Sequence, residues 1–449
     1  MNTKHLLVGL ALFCMTPSFA QDQSQTAKPM TLQEAVTYAL EHNEDVKKAS
    51  YDEQIAQQVI RETKSNGLPQ LNATGGVDYF PAIPTQILPG AIVGKPGTDV
   101  PVKFGKDYNA KANLQLTQLL FSKSYFVGLQ AAKSSQDLYR LRKEMTQEEV
   151  IYNVSSSYFQ ILQTKEQFEN INANLARLVQ LEKILQLQYE NDLVKKVDVN
   201  RIKVNRTNLE NQKQTLTTLF EQQKNYLKFF MGMPLDQEVE VQNTSLALEN
   251  VDPATISVNE AITQKTQYQL LQKQKQLTDY KIQNTRAGYY PTLSAYGQYG
   301  YQTQRDELFN SDIPWFKSAV VGLQVNVPIF DGFRKNAQVK QAQLEIRKID
   351  SDIAKYNTNT AVQLTNAVSQ LQNSQSSIAA QEKNVALAQE VYDTTNSLYK
   401  EGLAPLTDLL NGEVSLREAK TSLNNEILKY QLAQLNYLQA KGELTSLTK

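Results

Sequence analysis

Two spacings of apolar residues alternate along this chain. In four short stretches they recur at every second position. Near 108–120, Tyr108, Ala110, Ala112, Leu114 and Leu116 oppose Asn109, Lys111, Asn113, Gln115 and Thr117. Near 70–80, Leu71, Ala73, Val77 and Tyr79 oppose Asn72, Thr74 and Asp78. Near 292–302, Leu293, Ala295, Tyr299 and Tyr301 oppose Thr292, Ser294 and Gln298. Near 317–329, Ala319, Val321, Leu323, Val325 and Val327 oppose Ser318, Gln324 and Asn326. Side chains alternate across a strand, so each stretch predicts a strand with one apolar face.

Elsewhere the spacing is three to four. Leu138, Leu141 and Met145, then Ile151, Val154, Tyr158 and Ile161, trace a narrow apolar seam on a helix. The runs 129–231 and 333–401 hold neither Gly nor Pro, which predicts very long helices. A helix from 131 to 189 would be about 90 Å long. The Pro-free segments 31–66 and 254–287 each predict one helix, ended by Pro69 and Pro291. The stretch from Pro81 to Asp107 carries Pro81, Pro84, Pro89, Pro96 and Pro101 and is expected to be an outward surface loop.

The elements come in the same order twice. Thr31-Leu-Gln-Glu-Ala35 aligns with Ser257-Val-Asn-Glu-Ala261, and Thr63 to Leu71 with Thr285 to Leu293. Leu114 to Phe121 aligns with Leu323 to Phe330, and Tyr189 to Asp198 with Tyr399 to Asp408. The period is too long for a solenoid and implies an internally duplicated domain. The division is residues 1–20 as a signal peptide, 21–255 as a first repeat and 256–449 as a second. Each repeat holds a helix, two strands and a long helical hairpin, then an equatorial segment or the C-terminal tail.

Composition narrows the function. Lys4, the apolar run Leu6 to Met15 and Ser18-Phe19-Ala20 form a secretory signal pattern. Phe13 is too bulky before Cys14 for a lipid-attachment site. Cleavage after Ala20 would leave no cysteine and a single histidine, His42. That inventory excludes disulfides, thiolate chemistry and His-rich metal sites. No metal or cofactor is expected. His42 lies in the polar run Glu41-His42-Asn43-Glu44 and reads as a solvated helix residue. The 46 basic and 46 acidic side chains cancel and show no basic stripe, so no nucleic-acid partner is expected. Carboxylates are scattered along helical segments rather than gathered in a pocket, so no enzyme activity is expected.

After the signal no apolar stretch reaches the length of a transmembrane helix. A secreted chain can still enter a membrane as a β-barrel, and each stretch of about ten residues suits a tilted membrane strand. A soluble sheet in a secreted helical scaffold or adhesion protein would alternate in the same way. Aromatics near the loop ends favour the barrel: Tyr79, Phe80, Tyr108, Tyr299, Tyr301, Trp315 and Phe316 stand where an interfacial girdle belongs. Four strands cannot close a barrel, since about eight is the smallest number, so several chains would have to share one.

These residues resemble a known family. Val327-Pro-Ile-Phe-Asp-Gly-Phe-Arg334 is similar to its strand-to-helix exit motif. Tyr399-Lys-Glu-Gly402-Leu-Ala-Pro-Leu-Thr-Asp408-Leu-Leu is similar to its periplasmic tip motif, and Phe230-Met-Gly-Met-Pro234 resembles the segment after its first hairpin. The family is that of the TolC-like outer-membrane efflux proteins. The resemblance implies an α+β membrane protein: a homotrimer whose twelve-stranded transmembrane β-barrel, four strands per chain, continues into a long periplasmic α-helical coiled-coil barrel. It implies an outer-membrane location in a Gram-negative bacterium and export of small molecules or proteins. The partners implied are a periplasmic adaptor protein and an inner-membrane transporter. Leu235 to Asp252 and the C-terminal tail would form an equatorial belt. The tip residues Leu193, Val194, Gly402, Leu403 and Ala404 would dock the adaptor. Asp408 and Asn411 would ring the entrance, and Asp198 with Tyr399 would latch it. The family often carries an acidic residue where Asn411 stands and an arginine where Ala404 stands. Asp192 replaces the glycine found at Gly402 in the second tip.

Overall fold

A computed structural model describes residues 29–94, 96–243, 257–307 and 314–448. The signal peptide 1–20, with Lys4 and Cys14, lies outside the described residues, as does 244–252 of the equatorial segment.

The chain opens with α1 (Leu32–His42) and α2 (Glu44–Ser65). Strands β1 (Gln70–Tyr79), β2 (Thr85–Pro89), β3 (Asp99–Lys103) and β4 (Tyr108–Phe121) follow, then a hairpin of α3 (Lys123–Glu190) and α4 (Lys196–Met231). The second part repeats the order with α5 (Val258–Gln264), α6 (Thr266–Ala287), β5 (Thr292–Arg305) and β6 (Phe316–Asn326). A hairpin of α7 (Arg334–Lys400) and α8 (Leu406–Lys441) completes it.

Two sequence expectations for single helices are corrected. The segment 31–66 breaks at Asn43, and the described part of 254–287 breaks at Lys265. The Asn43 side chain is buried. Its Oδ1 accepts from the Asp45 and Val46 amides at 2.8 and 3.3 Å, while its Nδ2 donates to the Phe230 carbonyl at 2.8 Å. A helix cap and a long-range bond together outweigh one more turn of continuous helix. The helices also stop at Ser65 and Ala287, four residues before Pro69 and Pro291. Each terminal turn is tightened by amides reaching back three residues, Gly67 to Lys64 and Tyr290 to Ala287 at 3.0 Å each.

α3 exceeds the span 131–189 expected from the sequence, and α7 fills the expected run 333–401. α3 has 68 residues and α7 has 67, so each is about 100 Å long. Ser122 starts α3 directly after the strand by accepting from the Tyr125 amide at 3.2 Å. α2 and α6 pack along the sheet-proximal parts of α3 and α7, and α4 and α8 along the distal parts. In the first hairpin Ile171, Leu178 and Leu185 face Ile202, Leu209 and Leu216, both sets buried at seven-residue spacing. That spacing is a coiled-coil seam. A second core near the middle joins α1, Ile151, Val154, Tyr158 and Ile161, and Leu444 of the C-terminal 3-10 turn. Tyr158 donates to the Met30 and Gln242 carbonyls there. Met145, expected on the seam, is exposed instead.

β1, β4, β5 and β6 form one antiparallel sheet in the order β1-β4-β5-β6. The expected plain loop 81–107 contains a separate antiparallel hairpin, β2 with β3, pairing Ile87 with Pro101. Proline is tolerated because a two-stranded ribbon consists only of edges.

Candidate channel surfaces and entrance

The register aligns the apolar positions of the four strands. Leu71, Leu116, Gly297 and Val321 share one row, and Ala73, Leu114, Tyr299 and Ala319 the next. The opposite face carries Asn72, Gln115 and Gln298, then Thr74, Asn113 and Ser318. Lys111 and Asp78 form an ion pair of 3.1 Å on that face. A register irregularity between Leu119 and Phe121 lets Phe121 pair with Leu293, itself opposite Val325, which adds an apolar row at the helix end of the sheet. β1 and β6 have no further strand partner among the described residues, so both edges of the sheet are open.

The aromatic residues singled out in the sequence gather mostly at the loop rim. The Tyr79 and Tyr108 rings lie 4.9 Å apart, Phe80 follows directly, and Arg305 stacks over Trp315 at 5.7 Å. Phe316 begins β6, and Lys317 sits 6.0 Å from the Tyr301 ring. Tyr299 differs. It pairs with Leu114 and Ala319 in the middle of the sheet and bonds the Tyr301 hydroxyl at 3.0 Å. A second exposed aromatic group stands at the opposite end, where strands meet helices: Phe121, Phe126, Tyr289, Tyr290, Phe330 and Phe333. Lys123 covers Tyr290 at 3.7 Å and Lys335 covers Tyr289 at 4.8 Å. The sequence reading missed this group. A search for aromatics at both ends of each strand would have found it.

The two helical tips share one turn. Asp192 takes φ +54° and Gly402 φ +74°. The Leu193 amide donates to the Gln188 carbonyl at 2.8 Å, and the Leu403 amide to the Leu398 carbonyl at 2.9 Å. Asp192 therefore occupies the left-handed position that glycine occupies in the second tip. Leu193 is 73% exposed and Leu403 72%. Val194 does not project like these; it is half-buried and packs against the apolar core shared by the two hairpins. Ala404 is half-buried beside it.

Asp408 and Asn411 are both exposed on α8, while Leu409, Leu410, Gly412 and Glu413 are buried. Tyr399 on α7 is half-buried. Burial pushes its phenol up, and the nearby Asp198 carboxylate adds to the rise. Asp198 and Tyr399 thus lie within electrostatic reach without a hydrogen bond between them. Tyr399 lines a cavity of about 650 Å³ between the hairpins, walled also by Arg177, Tyr392, Gly402, Ala404 and Glu413 among others. Glu413 and Arg177 were not singled out in the sequence, because a lone acid among polar helix residues carries no local signal. His42 is half-buried rather than solvated: its ring stacks on Tyr38 at 4.0 Å.

An open sheet with one largely apolar face is thus carried on helices about 100 Å long. Residues 257–448 match the family described as outer membrane efflux protein. That match spans the C-terminal part of the chain, and with the curated relatives it indicates an efflux channel protein of the Gram-negative outer membrane. It is 23% identical over 451 residues to outer membrane protein TolC of Escherichia coli (strain K12), covering 98% of this chain and 86% of that one. The fold is similar to the CusC channel at a TM-score of 0.74 and 17% identity, covering 92% of each chain. It is similar also to the Campylobacter jejuni CmeC outer membrane channel at 0.73 and 17%, covering 98% and 94%.

Proposed function

We propose that three copies of this chain close a twelve-stranded barrel and continue it as a helical tunnel through which a periplasmic pump exports its cargo. The carrying observation is the sheet itself, apolar along one face and open at β1 and β6. An open edge in lipid leaves backbone groups unpaired at several kcal/mol each, so β6 of one copy pairs with β1 of the next. Four strands per chain and three chains give a barrel wide enough for an aqueous lumen, faced by the Asn, Gln and Thr rows.

The parallel element order and the matched tip turns support an internal duplication, with repeats at 21–255 and 256–449 after a signal peptide. The equatorial segment and the C-terminal tail belt the middle of the tunnel. The tips, with Leu193 and Leu403 outward, dock the hairpins of an adaptor bound to an inner-membrane transporter. Three Asp408 carboxylates surround the threefold axis at the entrance, with Asn411 one turn away, and contacts between Asp198 and Tyr399 hold it narrow. Each exposed link contributes only about 0–1 kcal/mol, so a docked partner can overcome the set.

The test is conductance of the purified full-length protein in planar bilayers, together with its mass by light scattering in detergent. Discrete pores and a trimer are expected. A monomer without conductance overturns the reading.

A further inference from the structure

The cavity between the hairpins holds a buried carboxylate and a half-buried guanidinium, each with one polar atom that lacks a hydrogen-bond partner. Glu413 on α8 is 7% exposed, and its Oε1 accepts no hydrogen bond. Arg177 on α3 has a buried Nε that donates none. Its Nη2 is taken by Asn174, and its guanidinium lies 5.7 Å from the Tyr392 ring of α7. Both residues line the same cavity, which also reaches Tyr399 and the Gly402 turn. One residue belongs to the first hairpin and the other to the second, so this polar pair spans the seam that must part if the tips swing open.

We propose that Glu413 and Arg177 are a second, buried part of the entrance gate, a proton-sensitive tie that positions the second hairpin against the first. The proposal rests on the gate reading above and deepens it. The groups facing Glu413 are Arg177 from α3, Tyr392, Tyr399 and Lys400 from α7, and Arg417 on its own helix. Asp393 lies beside Tyr392, and Asp198 of α4 acts on Tyr399. Burial of Glu413 outweighs the opposing attraction of Arg177 and Arg417 and holds its carboxyl above the ordinary range. The packed arrangement therefore holds the proton more tightly than parted hairpins do, since these expose Glu413 to water and restore ordinary acidity. Between those two values the packed form binds the extra proton, so acid stabilises closure and rising pH weakens it. This sign is opposite to that of a salt bridge that breaks on protonation.

Open fraction of the full-length protein in planar bilayers, followed from mildly acidic to mildly basic pH, tests it. In the wild type it should rise several-fold with pH. Glu413→Gln, a neutral mimic of the protonated acid, should stay as closed as the wild type in acid and lose the response. Arg177→Gln removes the counter-charge that steadies the ionised packed carboxylate, so its open fraction should match the wild type in acid and exceed it at basic pH, a pH-selective effect that a merely structural contact would not give. Glu390→Gln, an exposed carboxylate on α7, should keep the wild-type profile. An unchanged profile in Glu413→Gln overturns the proposal, as does a wild-type pore indifferent to pH. If Glu413→Gln fails to assemble, Arg177→Gln decides, and an open fraction unchanged at basic pH, or raised equally in acid, overturns it. Absence of any wild-type pore would instead overturn the channel reading itself.

Discussion

Asp192 holds a backbone conformation with φ +54° that costs an L-residue about 1 kcal/mol relative to glycine. Asp192→Gly should relieve that strain and raise the stability of the first tip, and Gly402→Ala should lower that of the second by about the same amount. Hydrogen exchange of the tip amides would show both changes. Sequence alone set the two tips apart at this position. The backbone makes them alike, because Asp tolerates the left-handed region better than a branched residue would. Asp408 is exposed on α8 beside the tip, where three copies would meet in the proposed trimer. Asp408→Ala should therefore weaken block of the pore by divalent or trivalent cations added on the periplasmic side. Block as tight as in the wild type would remove Asp408 from the constriction.

At the scale of elements, the break at Asn43 ties α1 and α2 to the end of α4 through one side chain. Asn43→Ala removes a cap and strands the Phe230 carbonyl, and it should cost about 2 kcal/mol in thermal or denaturant unfolding. Asn43→Asp keeps the cap but sets a buried carboxylate oxygen against the Phe230 carbonyl, so it should destabilise as well. The tips make a different demand. Leu403 contributes no core contact within the chain, so Leu403→Glu should leave folding and membrane targeting intact. Under the docking proposal it should abolish adaptor crosslinking and efflux, whereas normal efflux would place docking elsewhere. Val194→Ala should instead act on stability, since Val194 packs inside the tip cluster.

At the scale of the whole molecule, the two faces of the sheet should respond oppositely to charge. Val321 is 88% exposed on the apolar face, in the row of Leu71 and Leu116. Val321→Arg should cost about 2–4 kcal/mol per chain in lipid and deplete the protein from outer-membrane fractions. Gln298→Arg, on the opposite face, should still assemble and alter ion selectivity. Equal tolerance of both would show that the apolar face does not meet lipid.

Much of this was written into local pattern. Alternation gave the four strands and their faces, because a strand's side-chain period is fixed by covalent geometry. The Gly- and Pro-free runs gave the long helices, because nothing inside them interrupts the ladder of backbone bonds. Local pattern did not contain the register that lines Leu71 up with Val321, the cap that splits the helix at Asn43, the hairpin inside 81–107, or the meeting of Arg177 with Glu413 across two hairpins. Each of these depends on atoms far apart in the chain, where the free energy of one buried contact decides what periodicity leaves open. The sequence by itself determined the long helices, the four long strands and which of their faces are apolar. Only the tertiary structure decided which of those faces meet and which charges are left buried between them, since burial is a property of the packed assembly and not of any segment.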